Sequence, residues 1–123
     1  MIIDSYAWIE LFKATENGNK VAGYITNGDC YTLTTSIAEI VEWCLKANFD
    51  VNYIINKITI LTAILDVDRK AAFFAGELNF QRKKTIKNWG MMDSVLLATA
   101  LLNNLKILTG DKHFSDLPNV EMI

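Results

Sequence analysis

The sequence is short of the residues that usually punctuate or cross-link a chain: 123 residues include one proline, one histidine, two cysteines and six glycines. With so little proline, and with no Gly/Ser-rich, low-complexity or repeated stretch, no linker is visible and residues 1–123 read as one domain. Cys30 and Cys44 lack CxxC or Cys/His spacing, so they read as small core residues suited to a reducing compartment. Apolar runs such as Val95 to Leu102, with Thr99 inside it, fall far short of the roughly 18 to 20 residues of a membrane helix. Asp4 stands where a signal peptide would be basic, so we expect a soluble, cytoplasmic protein with no membrane partner. The absence of a Gly-rich phosphate loop and of a Ser/His/Asp hydrolase signature argues against nucleotide hydrolysis and acyl transfer. An excess of charge of one sign is also missing. Twelve basic and 14 acidic residues give a net charge of −2, so any nucleic-acid contact must be local.

What the chain does have is apolar patterning in short segments. Met1 to Asp4 reads as a buried strand, and Ser5 as the cap of a helix through Trp8, Ile9, Leu11 and Phe12. A helix over 17–27, a turn at Gly28-Asp29 and a strand from Cys30 to Leu33 follow. The next helix starts near Ser36 and carries Ile37, Ile40, Val41, Cys44 and Leu45 on one stripe; another opens at Asp50, despite its β-branched content. Ile64 to Val67 reads as a strand, Asp68 as the cap of a helix through Phe80, and residues 93–104 as a helix apolar on every side and hence buried. Strands at 105–109 and Val120 to Ile123 complete a three-layer α/β/α domain with a central, mostly parallel sheet. With glycine counted and tyrosine left out, the apolar fraction lies a little above the usual ~45–50%, so some apolar surface should face a partner. Trp8, Trp43, Met91 and Met92 are expected in the core or in such a contact.

In open α/β sheets ligands collect beyond the carboxyl ends of the strands, where Asp4 and Asp111 are expected to lie. Glu39 follows the second strand and Asp93 opens the buried helix, which makes four convergent carboxylates. Each has an ordinary reading: Asp93 as a helix cap, Ser36 and Glu39 as a capping box, Asp4 as a cap with Ser5, and Asp111 as an Asx turn. Their joint occurrence is harder to explain that way. Like charges about 4 Å apart repel by roughly 4 kcal/mol at an effective dielectric of about 20, so four together call for cations. All-oxygen donors favour Mg²⁺ or Mn²⁺ over zinc, and a pair of such ions can activate water and stabilise the leaving oxygen in phosphodiester hydrolysis.

The segments Ile2-Ile3-Asp4-Ser5, Thr34-Thr35-Ser36-Ile37-Ala38-Glu39-Ile40, Asp93-Ser94-Val95-Leu96-Leu97-Ala98-Thr99-Ala100 and Thr109-Gly110-Asp111-Lys112-His113-Phe114 resemble, in order and across nearly the whole chain, the four acidic blocks of PIN-domain ribonucleases. Within that family the chain is most similar to the small VapC-like toxins of toxin–antitoxin pairs. The resemblance implies a metal-dependent RNA endonuclease that leaves 5′-phosphate and 3′-hydroxyl ends, with Asp4, Glu39, Asp93 and Asp111 as catalytic and metal-site acids. It also implies Asp116 as an additional, less regular metal-site acid, Thr109 as a supporting hydroxyl, a homodimer and a cognate antitoxin protein. Asn103-Asn104 stands where the family commonly has glycine, a substitution that asparagine's tolerance of the left-handed region permits. Glu42, one turn after Glu39, competes for its role, and the Ser36-x-x-Glu39 alignment favours Glu39.

Arg82, Lys83, Lys84 and Lys87 precede the acidic helix and would guide RNA phosphates, with Trp89 stacking on a base; the ordinary alternative is a solvated helix end with a core tryptophan. His113 reads as a loop or substrate-contacting residue, not a metal ligand or catalytic base. The rival to a nuclease is a PIN-like module without catalysis that binds protein or RNA. A phosphate-accepting receiver domain ranks third, because the chain lacks an acidic pair at Asp4 and a late strand-end lysine.

Overall fold

In the computed structural model, which describes residues 1–123, five short strands form one sheet, parallel in every pairing. Along the chain come β1 (Ile2–Ile3), α1 (Ser5–Phe12), α2 (Glu16–Asn27), β2 (Tyr31–Leu33), α3 (Thr34–Ala47) and α4 (Val51–Leu61). β3 (Ala63–Leu65), α5 (Arg69–Arg82), α6 (Met91–Leu102), β4 (Ile107–Thr109), a 3-10 turn (Lys112–Phe114) and β5 (Val120–Met122) follow. The order across the sheet is β3-β2-β1-β4-β5, so β1 lies at the centre between β2 and β4. This is the expected three-layer α/β/α architecture. No helix is long and apolar enough to cross a membrane.

Because side chains alternate across a strand, neighbouring residues of β1 and β4 feed opposite cores. Ile3 and Leu108 pack with Trp8, Val21, Ile40, Cys44, Ile54 and Ile58 from α1 to α4. Ile2 and Ile107 pack with Ala75 of α5, Trp89, Phe114 and the buried residues of α6. α4 is helical despite its β-branched residues because Asp50 caps it, accepting the Tyr53 N–H at 3.1 Å, and Ile54 and Ile58 are buried one turn apart. Cys30 and Cys44 are free and buried, and Trp8 is fully buried, as expected of core residues.

Three local expectations are corrected. α3 begins at Thr34, not Ser36: Leu33 occupies the N-cap without a side-chain bond, Ser36 is buried inside the helix, and no capping box with Glu39 forms because β2 runs straight into the helix. Asp4, not Ser5, caps α1. α6 is buried from Ser94 to Ala100, but Met91, Met92, Leu101 and Leu102 at its ends are exposed. Its C-terminal end does use asparagine as anticipated, with Asn104 at φ 52° and the Asn103 side chain donating to the Thr99 carbonyl at 2.7 Å.

Gly18 is buried where α2 crosses α1, and a Cβ there would overlap the Glu10 carbonyl, whereas Gly23 on the same helix faces open space. Gly18→Ala should therefore lose about 1–3 kcal/mol of stability through overpacking, read as a lower urea midpoint at unchanged slope. Gly23→Ala, which gains helix propensity without a clash, should hold or raise that midpoint. Equal behaviour of the two variants would contradict the close α1–α2 approach.

Candidate active site

The central pairing of β1 with β4 sets Ile3 beside Leu108, and the next residues along each strand are Asp4 and Thr109. Thr109 Oγ donates to Asp4 Oδ2 at 2.7 Å, and the same hydroxyl accepts the Asp111 N–H at 3.0 Å. Asp4 Oδ1 caps α1 by accepting the Ser5 N–H at 2.7 Å and also lies 3.3 Å from the Ser5 hydroxyl. Asp111 Oδ1 accepts the His113 N–H at 2.9 Å and stands 3.0 Å from His113 Nδ1. Asp93 sits in the first turn of α6 and closes half of a capping box, its Oδ2 accepting the Gly90 N–H at 3.0 Å. The ordinary roles of these acids as caps and turn formers are thus real, and they orient the carboxyl groups without using all of their lone pairs.

These carboxylates act on one another. Asp4 is buried, and loss of hydration raises its pKa to about 6 against the opposing hydrogen bonds from Thr109 and Ser5; Asp93 and Asp111 push it further up. Glu39 is exposed over much of its surface, but its carboxyl is partly desolvated beside Asp4 and Asp93, and its pKa is raised to about 7, with the Ser5 hydroxyl opposing. Asp93 is raised chiefly by desolvation, opposed by the Gly90 N–H, with Asp111 adding repulsion and His113 and Arg82 countering it. Four carboxylates, two from just past β1 and β4 and two from α3 and α6, therefore share one electrostatic neighbourhood at the carboxyl edge of the sheet.

Glu42 stands at the margin: its carboxylate accepts from Lys46 at 2.8 Å on the open surface, that pairing lowers its pKa, and it acts on Glu39 across one helical turn. Asp116, expected as a further metal-site acid, is instead paired bidentately with Arg82, its two oxygens accepting at 2.9 and 3.0 Å. Arg82, expected to meet RNA phosphates, is turned inward onto Trp89 and is only 13% exposed. Trp89 is buried beneath it, packed on Phe114, and is not free to stack on a base. Lys83, Lys84 and Lys87 are exposed, as a phosphate-contacting role requires. What the sequence did not reveal is the Arg82–Asp116 pair itself, because its members are distant along the chain and follow no local spacing.

The all-oxygen donor set and its mutual repulsion suit a hard divalent cation. Asp4, Glu39, Asp93 and Asp111 are the residues that would hold one, in an open arrangement, since no three acidic, histidine or cysteine side chains form a ready-made cage. A groove of about 470 Å³ lined by Ser5, Ile9, Glu39, Trp43 and Met92 runs beside the acids. Another concavity, about 480 Å³, lies where Met1, Tyr24 and Cys30 meet, at the opposite end of the sheet, away from this chemistry.

The family model described as PIN domain matches residues 1–120. No curated protein matches the chain in sequence. Among solved structures, a toxin–antitoxin complex from Klebsiella pneumoniae aligns with TM-score 0.80 and 20% identity over 98% of this chain and 95% of that one. VapBC2 from Rickettsia felis, bound to a DNA fragment from its promoter, aligns with TM-score 0.79 and 18% identity over 99% and 97% of the respective chains. VapC20 from Mycobacterium tuberculosis, described as a sarcin-ricin loop cleaving toxin, aligns with TM-score 0.77 and 11% identity over 95% and 94%. At these identities the alignments establish a shared fold.

A carboxyl whose pKa is raised by folding binds more protons in the native than in the unfolded state between the two values, so its stabilising contribution is full below about pH 4 and lost as pH rises. Asp4 and Glu39 place that loss between about pH 4 and 7. In EDTA, the free energy of unfolding from urea titrations should therefore fall over this window. Asp4→Asn should remove on the order of 3 kcal/mol of the fall, because it deletes the buried charge and relieves Glu39. An identical pH slope in the variant would contradict the buried position of Asp4.

Proposed function

This chain belongs to the PIN-domain family, and from that premise we propose that it is a single-domain, Mg²⁺- or Mn²⁺-dependent RNA endonuclease, the toxin of a toxin–antitoxin pair. The observation that carries the reading is the meeting of Asp4, Glu39, Asp93 and Asp111 at the carboxyl edge of β1 and β4, within electrostatic reach of one another. The fold it shares with toxin–antitoxin structures supports the biological role and an antitoxin partner.

A bound divalent cation would supply Lewis-acid stabilisation of charge on a phosphodiester and make water more acidic. The chain's own part is placement. Thr109 and Ser5 hold the Asp4 carboxyl in one orientation, and the Gly90 N–H holds Asp93 with its Oδ1 turned free of hydrogen bonds. His113 Nδ1 faces Asp111 Oδ1 at 3.0 Å, and its Nε2 is the nitrogen we assign to a substrate oxygen. Lys83, Lys84 and Lys87 draw the RNA backbone towards an otherwise acidic edge. Exposed apolar residues, among them Leu45, Phe49, Tyr53, Phe73 and Phe80, suit a homodimer and an antitoxin contact.

Purified wild-type protein incubated with total RNA should produce discrete new 5′ ends in Mn²⁺ or Mg²⁺ and none in EDTA. Asp93→Asn, which keeps side-chain size while removing charge, should lower cleavage by at least about 100-fold with the fold intact. Equal cleavage by the variant, or none by the wild type, would end the enzyme reading in favour of a binding module. Replacing Lys83, Lys84 and Lys87 together by Met should flatten the log–log salt dependence of RNA affinity by about 0.7 for each phosphate that the lysines neutralise in the wild type. An unchanged slope would return these lysines to the solvated surface.

A further inference from the structure

Arg82 ends α5 within a basic run, yet it behaves as an interior residue. Its guanidinium carbon lies 4.1 Å from the centroid of the Trp89 ring. Nη1 donates to Asp116 Oδ2 at 3.0 Å, and Nη2 donates to Asp116 Oδ1 at 2.9 Å and to the His113 carbonyl at 3.0 Å. Nε is buried without an acceptor, so the Asp116 and Trp89 contacts orient the group, not a full complement of hydrogen bonds. The ring below is fixed in turn: Trp89 Nε1 donates to Ser94 Oγ at 2.7 Å, and Ser94 Oγ donates to Asn79 Oδ1 at 3.1 Å. Phe114 also packs against the Trp89 ring, tilted, with centroids 4.9 Å apart.

A stacked, bidentate arginine sets an angle as well as a distance, which a lysine ammonium does not. This one joins two segments that each carry a site acid. Trp89 precedes Gly90, whose N–H holds Asp93, and residues 111–116 carry Asp111 at one end and Asp116 at the other. We propose that Arg82 and Asp116 are a positioning pair that locks the Asp111–Asp116 loop onto Trp89 and so fixes Asp111 relative to Asp93, with Asp116 acting through Arg82 and not as a metal ligand. The idea deepens the metal-dependent nuclease reading and rests on it for its consequence in activity.

The test uses the full-length chain with Arg82→Met, which keeps a long apolar stem on Trp89, and Asp116→Asn, which changes an exposed side chain and leaves the interior intact. Amide hydrogen exchange of residues 113–115 should accelerate about tenfold or more in both variants, while α1 to α3 exchange as in the wild type. The Kd for Mn²⁺, measured by calorimetry, should rise about 10- to 100-fold, and kcat for RNA cleavage should fall in proportion with KM held. Unchanged loop exchange in folded variants overturns the proposal, as does faster exchange with an unaltered Mn²⁺ Kd. A raised KM and flatter salt dependence at constant kcat would also overturn it, by making Arg82 a phosphate contact. The wild type tests the underlying reading separately: if it neither binds Mn²⁺ nor cleaves RNA, the nuclease assignment fails, and the claimed consequence of the Arg82–Asp116 pair for metal binding fails with it.

Discussion

The hydrogen bond from Thr109 to Asp4 joins the carboxyl end of β1 to that of β4 at the point where the chain gathers negative charge. Burial raises the pKa of Asp4, and repulsion from Asp93 and Asp111 adds to the shift. Bringing carboxyl groups together out of water costs free energy that only a rigid frame can sustain. The frame here is the pairing of β1 with β4, two strands from opposite ends of the chain, continued by the α1 cap that uses the other Asp4 oxygen.

The sheet separates two helical layers that serve the site differently. On the side of α1 to α4, α3 rises directly from β2 and brings Glu39 into the electrostatic neighbourhood of Asp4. On the other side, α6 is buried through its middle and presents Asp93 from its first turn, where a carboxylate also meets the favourable end of the helix dipole. The layers meet at the carboxyl edge, and no close cation neutralises the centre of the cluster. Arg82 and His113 act on Asp93 from its margin.

Membership in the PIN-domain family and the α/β/α fold shared with toxin–antitoxin structures give this edge its chemical context. An acidic centre and a polyanionic substrate are compatible only if cations mediate between them. Under the proposed RNA-cleaving activity that mediation would fall to the exposed lysines after α5, whereas Arg82, in the same basic run, is held inside the fold.

Much of this was legible in the sequence because it depends on local periodicity and strand-end position. Short apolar segments alternating with helical stripes specified the parallel three-layer fold, and Asp4 and Asp111 followed from residing just past two strands. Asn104 in the left-handed region and the Asp50 and Asp68 caps were equally local. The partners of long polar side chains were not. Arg82 and Lys83 are adjacent and alike in sequence, but one is drawn onto Trp89 and Asp116 and the other stays in water. Likewise Glu39 and Glu42, one turn apart on α3, part company because Asp4 and Asp93 act on Glu39 while Glu42 reaches Lys46. Residue type and spacing determined which groups could ionise and which elements carried them; the tertiary structure alone decided which charges met, because those contacts depend on how layers distant in sequence are brought together across the sheet.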